Sequence, residues 1–523
     1  MSHSNPTERY HSLDFLRGVA MYLGVVIHTS VFFGMERPLG LGWAEYYPDP
    51  VNYQLVSGIH LFRMQLFFII AGFFGEMVCR KKGVGYFAGN RFKRIFIPFI
   101  VGCIVVVPFA EAVFAVYIKE LAGNTYLENA KEYMFFEFLS GNHFTPEIKF
   151  AHFWFVWFLL FYYVAHWLVR VIVGDRLAGL KAALVRFVDY CVTKSYGVFV
   201  LAAIFFLLLL PQRMALFPPR DAGLDAGIQE LAYYLVCYGF GCGLYYVRDF
   251  LGKIAKNLKL NLAIILCFSF WIHGATGAMD AHPNPAVDIG SWRFFNFHVF
   301  WDGVFYGGFD RYLVLFVRCL LCFSCCFTLI ALGERFFGRK NEMVRYVADA
   351  SYWVYWAHLP VTAYLSSLFQ PYTGMSSLFK CYLALMISTV LIMIPYVLMV
   401  RNTFLGDYFC GWRKPMNEDP FVKYLKTNWQ KVVSKTVAVG IVVFFVGEII
   451  HITLVSKRIA PLVEAYVLRD ESFLRNYEEI NHTNGYGQNA LHIAVGRVPE
   501  KTRRYDSVSV LLEKGIDVNR RDK

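Results

Sequence analysis

Charge is what this chain has least of. Asp, Glu, Lys and Arg together make up 17 % of its 523 residues, against 57 % apolar and 18 % aromatic. Soluble domains carry about a quarter charged residues, so the composition excludes an ordinary water-soluble domain and predicts a polytopic membrane protein. Flexible linkers rich in Gly and Ser are also scarce. The opening residues, MSHSNPTERYHSLDF, lack a basic segment followed by an apolar run and a small-residue cleavage site. The first apolar stretch is therefore expected to be retained.

What is present in quantity is apolar stretches of about twenty residues, the length that crosses a hydrocarbon core of roughly 30 Å. They fall near 13–33, 58–79, 95–118, 153–173, 195–211, 228–247, 261–275, 309–333, 350–369, 377–401 and 436–456. The expected fold is all-α, with about ten core transmembrane helices and an eleventh. Lys and Arg gather in alternate connections, at 80–94, 170–194, 248–259, 334–346 and 401–435. That bias predicts a cytoplasmic N-terminus and, with an odd number of spans, a periplasmic tail if the membrane is a bacterial inner membrane. The formal charge of +12 follows from the same bias and a basic tail, and requires no nucleic-acid partner.

The twelve cysteines lie mostly inside these stretches. The run CLLCFSCC, with Cys319, Cys322, Cys325 and Cys326, reads as small packing residues rather than a metal site, and no metal is expected. The outer connections 34–57, 119–152 and 276–308 are aromatic and polar, which suits ordered loops at the mouth of a cavity. Four segments result: a membrane domain over 10–401, a cytoplasmic linker over 402–435, the additional span at 436–456 and a small helical tail over 462–523. The tail contains NALHIA (489–494) and VLLEKG (510–515), similar to the two halves of an ankyrin repeat. A single repeat cannot bury its own apolar face, so the tail is a candidate surface for a protein partner.

Within the first stretch stand three residues that cost free energy in hydrocarbon: Asp14, Arg17 and His28. At 100° per residue, Arg17 and His28 fall within about 20° of each other and about 16 Å apart along the axis, with Asp14 about 60° away. One polar stripe thus runs along the helix, and it must face protein or a wet cavity. Asp14 and Arg17 sit near enough to the boundary to be a snorkelling ion pair. His28 lies past the middle of the span, as either an interhelical hydrogen bonder or a proton-transfer group.

An Arg followed by ten residues and a His, with LDFLRG around the Arg, resembles the membrane acyltransferase family 3. FFIIAGFF (67–74), RFKRIFIP (91–98), HFWFVWFLLFYY (152–163) and SYWVYWAHLPV (351–361) extend the resemblance, in the family's order, over residues 10–401. Within the family, IHLFRMQLFFIIAGFF (59–74) is similar to the glucan-biosynthesis branch, which adds succinyl groups to osmoregulated periplasmic glucans.

The resemblance implies an integral membrane O-acyltransferase that moves an acyl group, succinyl in that branch, from cytoplasmic acyl-coenzyme A to hydroxyls of a periplasmic glycan. Coenzyme A would be a donor substrate, with no cofactor held permanently; membrane lipid and the glycan would be the other partners. His28 would be the general base, with Arg17 and Asp14 in the catalytic set. Arg91 and Arg94, with Arg80 and Lys81, would take the phosphates of coenzyme A. Arg63, His152, Trp154 and His358 would bind substrate, Arg63 holding the carboxylate of a dicarboxylic acyl group.

The residues alone leave other readings open. The basic ones also fit an ordinary positive-inside cluster, Arg63 a snorkelling side chain, His358 a packing residue and the outer aromatics an interfacial belt. A different acceptor, such as a lipopolysaccharide or exopolysaccharide, or a transporter that makes no bonds, are the competing functions. A transporter would be favoured by an inverted repeat between the halves, and none is visible in the sequence. No Ser or Cys stands in a nucleophile motif, so direct transfer is expected.

Overall fold

One proline and one asparagine set two helix starts earlier than the apolar pattern suggests. The computed structural model describes residues 10–34, 50–121, 150–174, 176, 178–210, 228–268, 309–369, 375–401 and 403–410. Among these residues the secondary structure is almost entirely helical, with no strand. The main elements are α1 (His11–Gly34), α2 (Pro50–Lys82), α3 (Val84–Arg91), α4 (Ile97–Leu121), α5 (Trp154–Leu168), α6 (Ala178–Thr193), α7 (Gly197–Leu209) and α8 (Ile228–Leu244). They continue as α9 (Phe250–Lys256), α10 (Leu258–Phe268), α11 (Phe309–Phe337), α12 (Glu342–Phe369), α13 (Ser377–Pro395) and α14 (Leu405–Phe409).

Helix α2 starts at Pro50 rather than near 58, because proline at the first helical position loses no intrahelical hydrogen bond. It takes 50–57 out of the expected outer loop. Helix α12 starts at Glu342 rather than 350, because Asn341 caps it: the Asn341 side-chain oxygen accepts from the amides of Met343 (2.9 Å) and Val344 (3.1 Å). Between α3 and α4 the chain widens into a π-helical turn, Phe92–Phe96. Pro98, four residues after Arg94, has no amide to donate to the Arg94 carbonyl.

Among the described residues five helical stretches are long and apolar enough to cross a membrane by length and composition: α1, α2, α5 with the turn after it, α11, and α13 with the turn after it; α7, α8 and α10 are shorter and apolar. The apolar pattern of the sequence predicts eleven. The eleventh expected span and the ankyrin-like tail lie outside the described residues, as do most of the linker and the outer loops. Large apolar side chains such as Ile104, Val164, Ile172, Leu207, Leu266 and Leu398 are exposed on the described surface, as lipid-facing residues of a membrane protein must be.

Helix α1 is packed between α2, α11, α12 and α13. It runs parallel to α12: Gly18 lies against Ala348 and, ten residues further along both helices, His28 lies beside His358. It runs antiparallel to α2, with Tyr10 on Phe73 (ring centroids 4.9 Å apart) at one end and Arg63 against Ala20 further along. Helix α2 meets α8 at backbone contact. A Cβ on Gly72 would lie 2.0 Å from the Tyr238 carbonyl oxygen, and one on Gly241 would lie 1.9 Å from that of Ile69. Small residues of this kind are what lets helices approach in a membrane. Cys319, Cys322 and Cys326 are buried in α11 as free thiols, and Cys326 donates to the Phe62 carbonyl.

Candidate active site

Each end of the α1 stripe meets a different set of side chains. At the N-terminal end Asp14 and Arg17 form an i,i+3 ion pair at 3.4 Å, and the Arg17 guanidinium also lies over the Phe74 ring, 5.6 Å from its centroid. Arg17 is within electrostatic reach of Arg94, as is Arg91. Arg94 sits in the π-helical turn and donates to the Phe409 carbonyl (3.3 Å). Arg91, the last residue of α3, is stacked over Tyr163 and Phe87, 4.6 and 5.4 Å from their centroids. The Nε atoms of Arg91 and Arg94 are buried without a hydrogen-bond partner. Three guanidiniums held near one another repel, so the arrangement is suited to receive an anion.

Arg80 and Lys81, expected from the sequence to join this group, go elsewhere. Arg80 donates to Glu76 (3.1 Å) and to Tyr246 (2.7 Å), and Lys81 is exposed at the end of α2.

At the other end of the stripe three imidazoles converge. His28 comes from α1, His152 from the tight turn Ala151–Phe153 that leads into α5, and His358 from α12. Ring centroids are 5.1 Å apart for His28–His358, 5.0 Å for His152–His358 and 6.5 Å for His28–His152. His152 and His358 are buried, whereas His28 is only partly so. Tyr355 fastens the group together: its hydroxyl donates to the His152 carbonyl, and its own carbonyl accepts from His358 Nδ1 at 2.6 Å. Pro360 contributes as well, since it cannot donate to the Trp356 carbonyl four residues back, and the His152 ring lies beside that backbone.

Arg63 is 6 % exposed, so it does not snorkel. Its Nε donates to the Ala20 carbonyl of α1 at 2.8 Å, and its guanidinium lies across Gly24, where a Cβ would be 2.6 Å from Nη2. The charge of Arg63 is felt at all three imidazoles. Trp154 packs by its ring on Phe155, Phe158 and Tyr234, as part of the aromatic core.

The acyltransferase-domain family model matches residues 10–398, which take in the whole of α1 to α13. The chain belongs to this acyltransferase family. Among its relatives are proteins named "Glucans biosynthesis protein C" from three Salmonella. That of Salmonella gallinarum is 21 % identical over 435 residues, 80 % of this chain and 98 % of the relative. Those of Salmonella typhi and Salmonella typhimurium are each 23 % identical, covering 80 % and 78 % of this chain and 98 % and 96 % of the relative. No solved structure matches the chain. The protein is therefore a membrane acyltransferase.

Sequence reasoning missed one polar centre of the acyltransferase. Glu76, 2 % exposed in α2, accepts from His166 Nε2 (2.9 Å), from Arg80, and at close range from Arg170 and Tyr246. His166 in turn pairs through Nδ1 with the Tyr238 hydroxyl (2.8 Å). The donor atoms of Glu76, His166 and Cys242 lie within 4.8 Å of one another, but two arginines already balance the carboxylate, which makes the group a tie between α2, α5 and the end of α8 rather than a cation site. A lone Glu near the end of the apolar stretch 58–79 was its one visible signal.

Proposed function

We propose that the protein transfers an acyl group such as succinyl from cytoplasmic acyl-coenzyme A to a hydroxyl of a periplasmic glycan such as an osmoregulated glucan. The observation that carries this reading is that one helix, α1, joins an arginine cluster to an imidazole cluster. Arg17 stands within electrostatic reach of Arg94 at one end and His28 next to His358, which in turn adjoins His152, at the other. The two ends are separated by about 16 Å of helix, which the extended pantetheine arm of coenzyme A can bridge. The relatives' printed name supports a glucan as the acceptor.

Arg91, Arg94 and Arg17 hold the phosphates of the donor, leaving its thioester directed along α1. The acceptor hydroxyl oxygen attacks the thioester carbonyl carbon as its proton passes to a ring nitrogen of His28. The tetrahedral adduct then collapses, the C–S bond breaks, and the His28 imidazolium returns the proton to the departing thiolate. General-base help of this kind contributes about 10²- to 10⁴-fold. Arg63 meets the distal carboxylate of a dicarboxylic acyl group, which favours succinyl over acetyl donors.

Purified protein in lipid, given labelled succinyl- or acetyl-coenzyme A and a β-glucan, is expected to place label on the glycan. Thioester that is neither bound nor consumed would refute the assignment.

A further inference from the structure

His358 has an unmet requirement. Its Nδ1 lies 2.6 Å from the Tyr355 carbonyl oxygen, and a carbonyl only accepts, so Nδ1 carries the proton and Nε2 presents a lone pair. That Nε2 is buried, on a side chain 0 % exposed, and has no hydrogen-bond partner. Buried acceptors left in this condition are uncommon, and each one asks what meets it.

The neighbours narrow the answer. His28, with its ring centroid 5.1 Å from that of His358, must also present a lone pair if it is to take a proton from a hydroxyl. Two acceptors then stand side by side, and a single hydroxyl can donate to only one of them at a time. His152 closes the third side, with neither ring nitrogen in a well-aligned hydrogen bond. A metal ion would satisfy three imidazoles, but the buried guanidinium of Arg63 is felt at each of them and opposes a second cation there. A neutral ligand with more than one O–H suits the site better. His28 is the one of the three that is not fully buried, which makes it the side from which such a ligand would approach.

We infer that the imidazole cluster is a two-hydroxyl subsite: His28 receives the hydroxyl that is acylated, and His358 Nε2 accepts a hydrogen bond from a second hydroxyl next to it on the same acceptor. The ligand class is a polyol with neighbouring hydroxyls, as on a sugar ring, and a mono-alcohol leaves His358 without a donor. His358 takes no part in the covalent step; it sets which hydroxyl lies against His28. This inference rests on the acyl-transfer reading above.

The test uses full-length protein in lipid, labelled succinyl-coenzyme A, and methyl glucoside with its monodeoxy analogues as acceptors. In the wild type, loss of the reacting hydroxyl abolishes labelling, and loss of a neighbouring hydroxyl lowers kcat/KM about tenfold, the scale of one hydrogen bond to a buried acceptor. In His358→Ala the second penalty shrinks to less than about twofold, and in His358→Gln, whose amide oxygen accepts, it returns. Equal penalties in wild type and His358→Ala overturn the inference, as does a wild type indifferent to every neighbouring hydroxyl. If His358→Ala does not fold, the Gln variant is compared with His358→Leu on the same criterion. A wild type that labels no acceptor refutes acyl transfer itself, whereas labelling without a neighbour penalty refutes the two-hydroxyl subsite alone.

Discussion

His28 and His358 stand 5.1 Å apart, ring centroid to ring centroid, on parallel helices. Their placement follows from a close approach nearer the N-terminal ends of the two helices: Gly18 on α1 sits so near Ala348 that a Cβ there would be 3.1 Å from the Ala348 Cα. Both helices then advance ten residues from that point to their histidines. Parallel packing at one register therefore brings the two imidazoles level, and the small residues at positions 18 and 348 hold that register.

His28→Ala is expected to abolish acyl transfer while leaving the protein in the membrane. The expected loss is about 10²-fold or more in kcat, read as labelled glycan per minute, with size-exclusion elution of the variant unchanged. Full turnover in a folded variant would remove His28 from the chemistry.

Arg94→Ala acts at the other end of α1. Its guanidinium has a free buried Nε and two cationic neighbours, so its removal weakens binding of an anion without touching the reacting atoms. Without this charge-assisted hydrogen bond to a phosphate, the KM for acyl-coenzyme A is expected to rise by about tenfold or more with kcat nearly unchanged. A fall in kcat at constant KM would instead place Arg94 in the chemical step.

The stripe on α1 was legible because helical geometry alone puts Asp14, Arg17 and His28 on one side. The Asp14–Arg17 pair stands as an i,i+3 ion pair in the structure. The companions of the stripe were not legible from periodicity, since His152 and His358 lie far away in sequence: His358 arrives through the packing of α12 onto α1, and His152 through the hold of Tyr355, also on α12, on the turn before α5; the family resemblance pointed to them. Arg80 was misleading for a related reason. It looks like its basic neighbours in the chain, and only the fold shows Glu76 and Tyr246 taking its Nε. Helix starts at Pro50 and Glu342 were missed because the apolar pattern begins later than the capping chemistry does.

Gly24→Ala tests the seat of Arg63. The added methyl would lie 2.6 Å from Nη2 and 3.2 Å from Cζ, so the guanidinium must move while the backbone need not. Stability is expected to fall by about 1–3 kcal/mol, the cost of an added methyl against a well-packed buried side chain. The ratio of succinyl to acetyl transfer should fall severalfold. An unchanged donor ratio would show that Arg63 serves only to pin α2 to the Ala20 carbonyl.

Glu76→Ala should cost more stability than any of these changes. The carboxylate is 2 % exposed and is shared by Arg170, Arg80, His166 and Tyr246. Removing it leaves Arg170, itself 16 % exposed, without its counter-charge, and uncompensated buried charges of this kind cost roughly 3–5 kcal/mol. Arg80→Ala removes a partner that is 34 % exposed and leaves Glu76 its other donors, so its effect should stay near or below about 1 kcal/mol. Thermal unfolding in detergent, followed by tryptophan fluorescence, separates the two. Equal midpoints for Glu76→Ala and Arg80→Ala would mean that Glu76 acts through Arg80 alone, and that Arg170 and His166 do not depend on it.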